Sequence, residues 1–164
     1  MNAMLSDGGN PLHASSVAID GLAVLLMGPS GAGKSDLALR LIDRGAILIS
    51  DDYTQWRREE ATGRIHASAP VTIAGRMEIR GIGIVPMPCL DEAPVALAVL
   101  LTGPDPDPPI ERLPLDPAYF HLDGSALPLL RLNGLEASAP VKIEYALRTQ
   151  ARVGSIAGGS KAGS

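Results

Sequence analysis

Between the unbroken apolar run LAVLLM at residues 22–27 and the amphipathic stretch that begins KSDLALRLIDR stands one octapeptide, Gly28-Pro29-Ser30-Gly31-Ala32-Gly33-Lys34-Ser35. It fulfils the pattern G-x-x-x-x-G-K-[ST] in full, and its flanks read as the buried strand and the helix that such a loop requires. Glycines let the backbone curl so that successive N–H groups point inward, and the following helix adds the positive end of its dipole. Lys34 is then placed to neutralise the outer phosphates of a nucleotide and Ser35 to offer its hydroxyl to Mg²⁺. All eight residues are therefore expected nucleotide contacts, with ATP and Mg²⁺ the expected cofactors.

The helix is expected over residues 33–44. Leu37, Ala38, Leu41 and Ile42 recur at intervals of three and four, while Asp36, Arg40, Asp43 and Arg44 fall elsewhere, and Gly45 suits the position just past the end. AILIS, a continuous apolar run of strand length, follows and ends at Asp51-Asp52. Strand, glycine loop, helix and strand form the core of an α/β nucleotide-binding unit. Beyond it the pattern changes. TQWRREEATGRIHASAP reads as a hairpin around a polar turn, VTIAGRMEIRGIGIV as short β pieces punctuated by glycines, and PVALAVLLT as another buried strand. GPDPDPPIERLPLDP is a proline-rich surface connector, and LPLLRLNG and APVKIEYALRTQ read as an apolar piece and a terminal helix. This favours a mixed sheet over a regularly alternating parallel one: an α/β P-loop domain occupying residues 1–150, with residues 151–164 expected to be a disordered tail.

Composition narrows the partners. A net charge of −4 with no long basic run disfavours nonspecific nucleic-acid binding. Aromatics at 3% leave little to stack on bases. A single cysteine, Cys89, cannot form an internal bridge, and the start MNAMLSDGGNPLHASS lacks the basic and apolar regions of a signal peptide. The apolar stretch at residues 93–101 is interrupted by Pro94 and is too short to span a bilayer. The expectation is a cytoplasmic protein that binds neither nucleic acid nor membrane.

Asp51 and Asp52 stand 17 and 18 residues after Lys34. One acidic residue there suits a metal ligand, but neighbours on a strand point to opposite faces, so only one reaches the phosphates unless the strand ends between them. If both arrive, one serves Mg²⁺ and the other can take the proton of an attacking hydroxyl. In MEIRGIGI, Glu78 and Arg80 lie two residues apart on one face of an extended segment. They read either as an exposed ion pair or as a metal ligand with a phosphate-binding arginine. His13, ahead of the first strand pair, reads alone as a surface histidine. His66 and His121 show no metal-ligand spacing.

Taken together, His13, the octapeptide, Asp51-Asp52 and EIRGIGIV resemble the HPr kinase/phosphorylase family. The likeness covers residues 12–148 and is to the family's C-terminal catalytic domain alone, as in the short alphaproteobacterial forms. The resemblance implies a fold related to phosphoenolpyruvate carboxykinase, with a P-loop in a mixed sheet. It implies transfer of phosphate from ATP to a serine of HPr, a small phosphocarrier of a phosphotransferase system, and in many members the reverse reaction with inorganic phosphate. Residue by residue, it makes Asp52 the acceptor of the serine proton and places Asp51 beside the metal with Ser35. It makes Glu78 a metal ligand and gives His13 a place in the active site alongside Lys34. Arg112, in ERLPLD, matches an arginine before a similar R-L-G-L-D segment. Homo-oligomers occur among longer relatives. Two departures stand out: LPLLRLNGLEASAP replaces a P-x-R-P-G-R-N segment tied to phosphorolysis, keeping Arg131, and Asp36 replaces a glutamate. The likeness therefore extends further for the kinase direction than for its reversal. Two other functions fit the same loop: a small-molecule kinase or NTPase, and a nucleotide-binding regulator without phosphotransfer.

Overall fold

In a computed structural model of the chain, residues 9–162 are described, with side chains described for residues 9–150. The elements run β1 (Ala14–Ile19), β2 (Leu22–Met27), α1 (Lys34–Asp43), β3 (Ile47–Ser50), β4 (Gln55–Arg58), β5 (Ile65–Ser68), β6 (Arg76–Ile79), β7 (Gly83–Pro86), β8 (Glu92–Thr102), β9 (Tyr119–Leu122), β10 (Ser125–Asn133) and α2 (Ala139–Ala162). The side chains of the expected tail, residues 151–164, lie outside the described residues.

The main sheet is mixed, as expected, with the order β3-β1-β2-β8-β10-β9. At its centre β2, β8 and β10 are parallel neighbours. Around them β1 is antiparallel to both β2 and β3, and β9 is antiparallel to β10. The β4–β5 hairpin joins through β5 to the first residues of β8, and β6 and β7 form a separate two-stranded sheet.

The hairpins follow local chemistry. Asp20-Gly21 joins β1 to β2 and Asp123-Gly124 joins β9 to β10, with positive φ at all four residues (51°, 79°, 47° and 79°). Two consecutive positive φ values define the tight turn whose twist matches the flanking strands. The β9 strand was not expected from the sequence, although the Asp-Gly pair is a hairpin signal.

Both faces of the sheet are covered. On one, Val24, Leu26, Leu97, Val99 and Leu132 pack against Leu37, Ala38 and Leu41 of α1 and Ala139, Ile143 and Leu147 of α2. On the other, Leu25, Met27 and Ala98 pack with Ile65 and Ala67 of β5 and with Phe120, Leu122 and Leu127. Alternate residues of β2 thus serve opposite layers, which is why LAVLLM is apolar throughout. Leu25, Leu26, Leu37 and Leu41 are at most 1% exposed, and burial of each stabilises the fold by about 1.5–3 kcal/mol.

Candidate functional site

Strand direction determines which chain segments meet. β3 is separated from β2 by the antiparallel β1, so β2, β3, β8 and β10 all point the same way. Their C-terminal ends share one edge, where ligands of open α/β sheets bind. There the glycine loop follows Met27, the aspartates follow Ser50, the connector follows Thr102 and Gly134 follows Asn133. β1 runs the other way, so its beginning arrives at the same edge. Ala14 is paired with Met27, and His13 is carried to the site ahead of it.

The loop rests on the neighbouring strand ends at close range. Gly28 has φ 144°, and a Cβ there would stand 2.9 Å from the Leu101 carbonyl oxygen; at Gly134 it would stand 3.1 Å from that of Ala32. Arg40 secures the arrangement. Its guanidinium donates to the Gly134 carbonyl and, at 3.1 Å, to that of Glu136, while Nε donates to Asp36 at 3.0 Å. Helix α1 begins after Gly33 with no side-chain cap, leaving its first-turn N–H groups directed at the loop. Lys34 is buried and donates from Nζ to the carbonyls of Gly28 (2.7 Å) and Pro29 (3.0 Å). Burial lowers its pKa from the ordinary lysine value, and the nearby Asp52 carboxylate offsets part of that effect.

The two aspartates differ in every respect. The strand ends at Ser50, before either of them, and Asp52 adopts φ 71°. The opposite-faces restriction for neighbours on a strand therefore does not apply here. Asp51 is buried and its carboxylate is surrounded by donors: Ser35 Oγ at 2.7 Å and Ser15 Oγ at 3.1 Å to Oδ1, and the Glu78 N–H at 3.2 Å to Oδ2. The Asp52 side chain is 60% exposed, with Oδ1 3.3 Å from His13 Nε2. The His13 ring packs in turn against Tyr53, centroid to centroid 5.2 Å.

The structure thus brings together the loop, Lys34, Ser35, Asp51, Asp52 and His13. Glu78 reaches the site through its backbone amide, and its carboxylate sits on the exposed face of β6. Arg80 stands outside that extended segment. β6 ends at Ile79, and Arg80 starts the turn closed by Ile82 N–H to Ile79 O at 3.0 Å, with Gly81 at φ 85°. Turn geometry has replaced strand alternation there. Arg112 lies exposed on the connector, which leaves the site edge after Thr102. Among the described residues no three His, Cys, Asp or Glu side chains form a metal-binding cluster. Ser35 and Asp51 nevertheless offer adjacent hard oxygens, and Mg²⁺ takes few protein ligands beside phosphates and water, so these residues fit the ion.

Sequence reasoning missed Ser15, Gly134, Tyr53 and the anchoring role of Arg40. The signal for Ser15 was available: Ser15-Ser16 interrupts an otherwise apolar strand, and both are fully buried. A shallow notch of about 310 Å³ formed by Pro11, Tyr53, Pro70, Thr72 and Ile73 adjoins the site through Tyr53. A second cavity of about 320 Å³, bordered by Ile19, Asp20, Arg44 and Glu144, includes the β1–β2 turn at the opposite edge and is separate from the site. No helix among the described residues is long and apolar enough to cross a membrane.

Comparison with known proteins points the same way. Residues 8–143 match the family model described as HPr Serine kinase C-terminal domain. The HPr kinase/phosphorylase of Chlorobium chlorochromatii is 38% identical over 127 residues, covering 73% of this chain and 38% of the relative. That of Clostridium botulinum strain Eklund 17B is 34% identical over 129 residues, covering 74% and 41%. The chain therefore spans about two fifths of the curated relatives it matches. The solved structure of the Hpr(Ser) kinase/phosphatase from Coxiella burnetii superposes with a TM-score of 0.75 at 28% identity, covering 93% of this chain and 96% of that one.

Proposed function

The chain belongs to the HPr serine kinase C-terminal domain family, and from that premise and the site's geometry we propose that it is an ATP-dependent kinase of a serine on an HPr-type phosphocarrier protein. The observation that carries the reading is the division of labour between the aspartates. Asp51 is buried, enclosed by three donors and next to the loop serine, while Asp52 is solvent-facing beside His13. Hydrolysis or cation binding alone needs the first; an incoming hydroxyl gives the second a task.

In this proposal residues 28–35 grip the nucleotide phosphates, with backbone N–H groups and the Lys34 ammonium facing the oxygens. Ser35 and Asp51 would hold Mg²⁺, which would supply charge neutralisation for the phosphoryl group carried by ATP. Lys34 exchanges the carbonyls of Gly28 and Pro29 for phosphate oxygens, which restores by charge pairing what burial costs the ammonium. Asp52 accepts the serine proton as the new P–O bond forms and the bond from the γ-phosphorus to the β,γ-bridging oxygen breaks, with ADP as the leaving group, and His13 holds that carboxylate in place. The work is positioning and charge neutralisation, as in phosphoryl transfer generally.

The deciding experiment incubates the purified protein with radiolabelled ATP and an HPr-type carrier. Label on a carrier serine is expected, and Asp52→Asn should reduce it by about 100-fold or more while nucleotide affinity stays within several-fold. Release of free phosphate or a labelled metabolite without carrier labelling would overturn the proposal in favour of a small-molecule kinase or NTPase. Bound but unconverted ATP would favour a regulator.

A further inference from the structure

The buried hydroxyl of Ser15 belongs to none of the roles above. It donates to Asp51 Oδ1 at 3.1 Å and accepts the backbone N–H of Asp52 at 3.1 Å. A hydroxyl has one proton to give and lone pairs to receive, so Ser15 completes a directed chain from the Asp52 amide through its own oxygen to the Asp51 carboxylate. Donation to a carboxylate polarises the hydroxyl and makes its oxygen a better acceptor, so the two bonds strengthen each other. Ser15 is fully buried, which shields both bonds from bulk solvent.

The bond received from Asp52 is the informative one. Asp52 has φ 71°, in the left-handed region that a non-glycine residue occupies at a cost. That backbone rotation sends the Asp52 carboxylate out toward His13 and Lys34, while its neighbour Asp51 turns inward to Ser35. A donor-acceptor pair that grips the Asp52 amide holds the rotated conformer against relaxation. Strand β1 makes this possible by lying between β2 and β3, with Ser15 opposite Leu26 and Ser16 opposite Ser50. A second hydroxyl pair, Ser16 with Thr54 at 2.8 Å, and Thr54 to the Ala14 carbonyl at 2.9 Å, secures the strand on which Ser15 sits.

We infer that Ser15 is a positioning residue for phosphoryl transfer: its hydroxyl couples the cation-side aspartate to the proton-accepting one and sets the aim of the Asp52 carboxylate. The assignment of Asp52 as proton acceptor rests on the function proposed above; the coupling itself does not.

Two measurements on the full chain separate these. In the first, the His13 Cε1 resonance is followed by NMR in the wild type, Ser15→Ala, Ser15→Thr and Asp52→Asn. Ser15→Ala should displace the resonance toward its Asp52→Asn position, and Ser15→Thr, which keeps the hydroxyl, should leave it near the wild-type position. An unmoved resonance in a folded Ser15→Ala protein would overturn the inference, whatever reaction the protein performs. In the second, kcat for carrier phosphorylation should fall about tenfold or more in Ser15→Ala with the nucleotide KM within about twofold, and recover in Ser15→Thr. Equal losses in the alanine and threonine variants would mark Ser15 as a packing residue only and refute the role. If the wild type labels no carrier, the proposed function fails, and the resonance measurement still decides whether Ser15 aims Asp52. Should Ser15→Ala fail to fold, Ser15→Cys replaces it, with the same displacement expected because a thiol hydrogen-bonds weakly.

Discussion

Residues 12–54 and the two projections that flank the site, the β6–β7 hairpin and the connector at residues 103–118, are built on opposite principles. In the first region the working side chains are tied down: Lys34 by two carbonyls, Asp51 by three donors, Arg40 by two carbonyls and a carboxylate. In the second, large apolar groups face outward. Ile84 is 70% exposed and Leu115 91%, and Arg112 stands among them. Rigid geometry serves a ligand of fixed shape such as a polyphosphate. Exposed apolar and charged groups on projecting segments serve a surface that arrives from outside. On the proposed function, one half of the site is set in advance and the other is where the carrier would dock.

If that contrast is right, substitutions on the two sides should fail differently. The largest effect is expected from Lys34→Ala, which should cost about a thousandfold or more in phosphotransfer, since it removes a charge placed against the transferred group. The rate measured at saturating nucleotide checks it, and a loss below tenfold would break the assignment. Next comes Gly28→Ala, where a Cβ 2.9 Å from the Leu101 carbonyl forces the loop off its floor. Nucleotide affinity should drop about tenfold or more and the thermal midpoint should fall by several degrees, both read on one sample by calorimetry. On the open side, Arg112→Ala and Leu115→Ala should raise the KM for the carrier several-fold, with thermal midpoint and nucleotide affinity within error of wild type. A fall in nucleotide affinity would place the connector over the phosphates and blur the division.

The smallest effect lies away from both regions, on the β4–β5 hairpin. Glu59 is held below the ordinary carboxylate value of 4.5 chiefly by its hydrogen bond to His66, and Glu92 chiefly by its hydrogen bond from Arg57. A carboxylate whose pKa is depressed by folding contributes stability above its ordinary value and loses it as pH falls through the lowered one. The Arg57–Glu92 pair is exposed, so Arg57→Ala should lower the thermal midpoint by only about 1–2 °C at neutral pH. The gap to wild type should close as pH drops below 4.5.

How far the site was legible in the sequence depends on how local its causes are. The strand, loop and helix at residues 22–43 were readable because periodicity and the glycine pattern act over a few residues. β9 was readable in principle from Asp123-Gly124, but its four residues are too short to show a period. The fate of Asp51 and Asp52 was not decidable from spacing, because the strand ends at Ser50 and φ at Asp52 redirects the second carboxylate relative to the first. The end of β6 was not legible for a related reason: a turn through Gly81 stops the strand at Ile79, one residue before Arg80. Ser15 is legible only with the sheet in hand, since its partners lie 36 and 37 positions along the chain and meet it through strand pairing.

The floor under the glycine loop carries a consequence for how the protein comes into being. Gly28 rests on Leu101, Ala32 on Gly134, and Arg40 reaches carbonyls 94 and 96 residues away. Contacts so distant in sequence close slowly, and they close only once the central strands have found their order. No early, partly organised chain can own a finished phosphate cradle. Acquisition of nucleotide affinity during refolding should therefore coincide with the last cooperative step, making a bound nucleotide analogue a reporter of complete chain assembly.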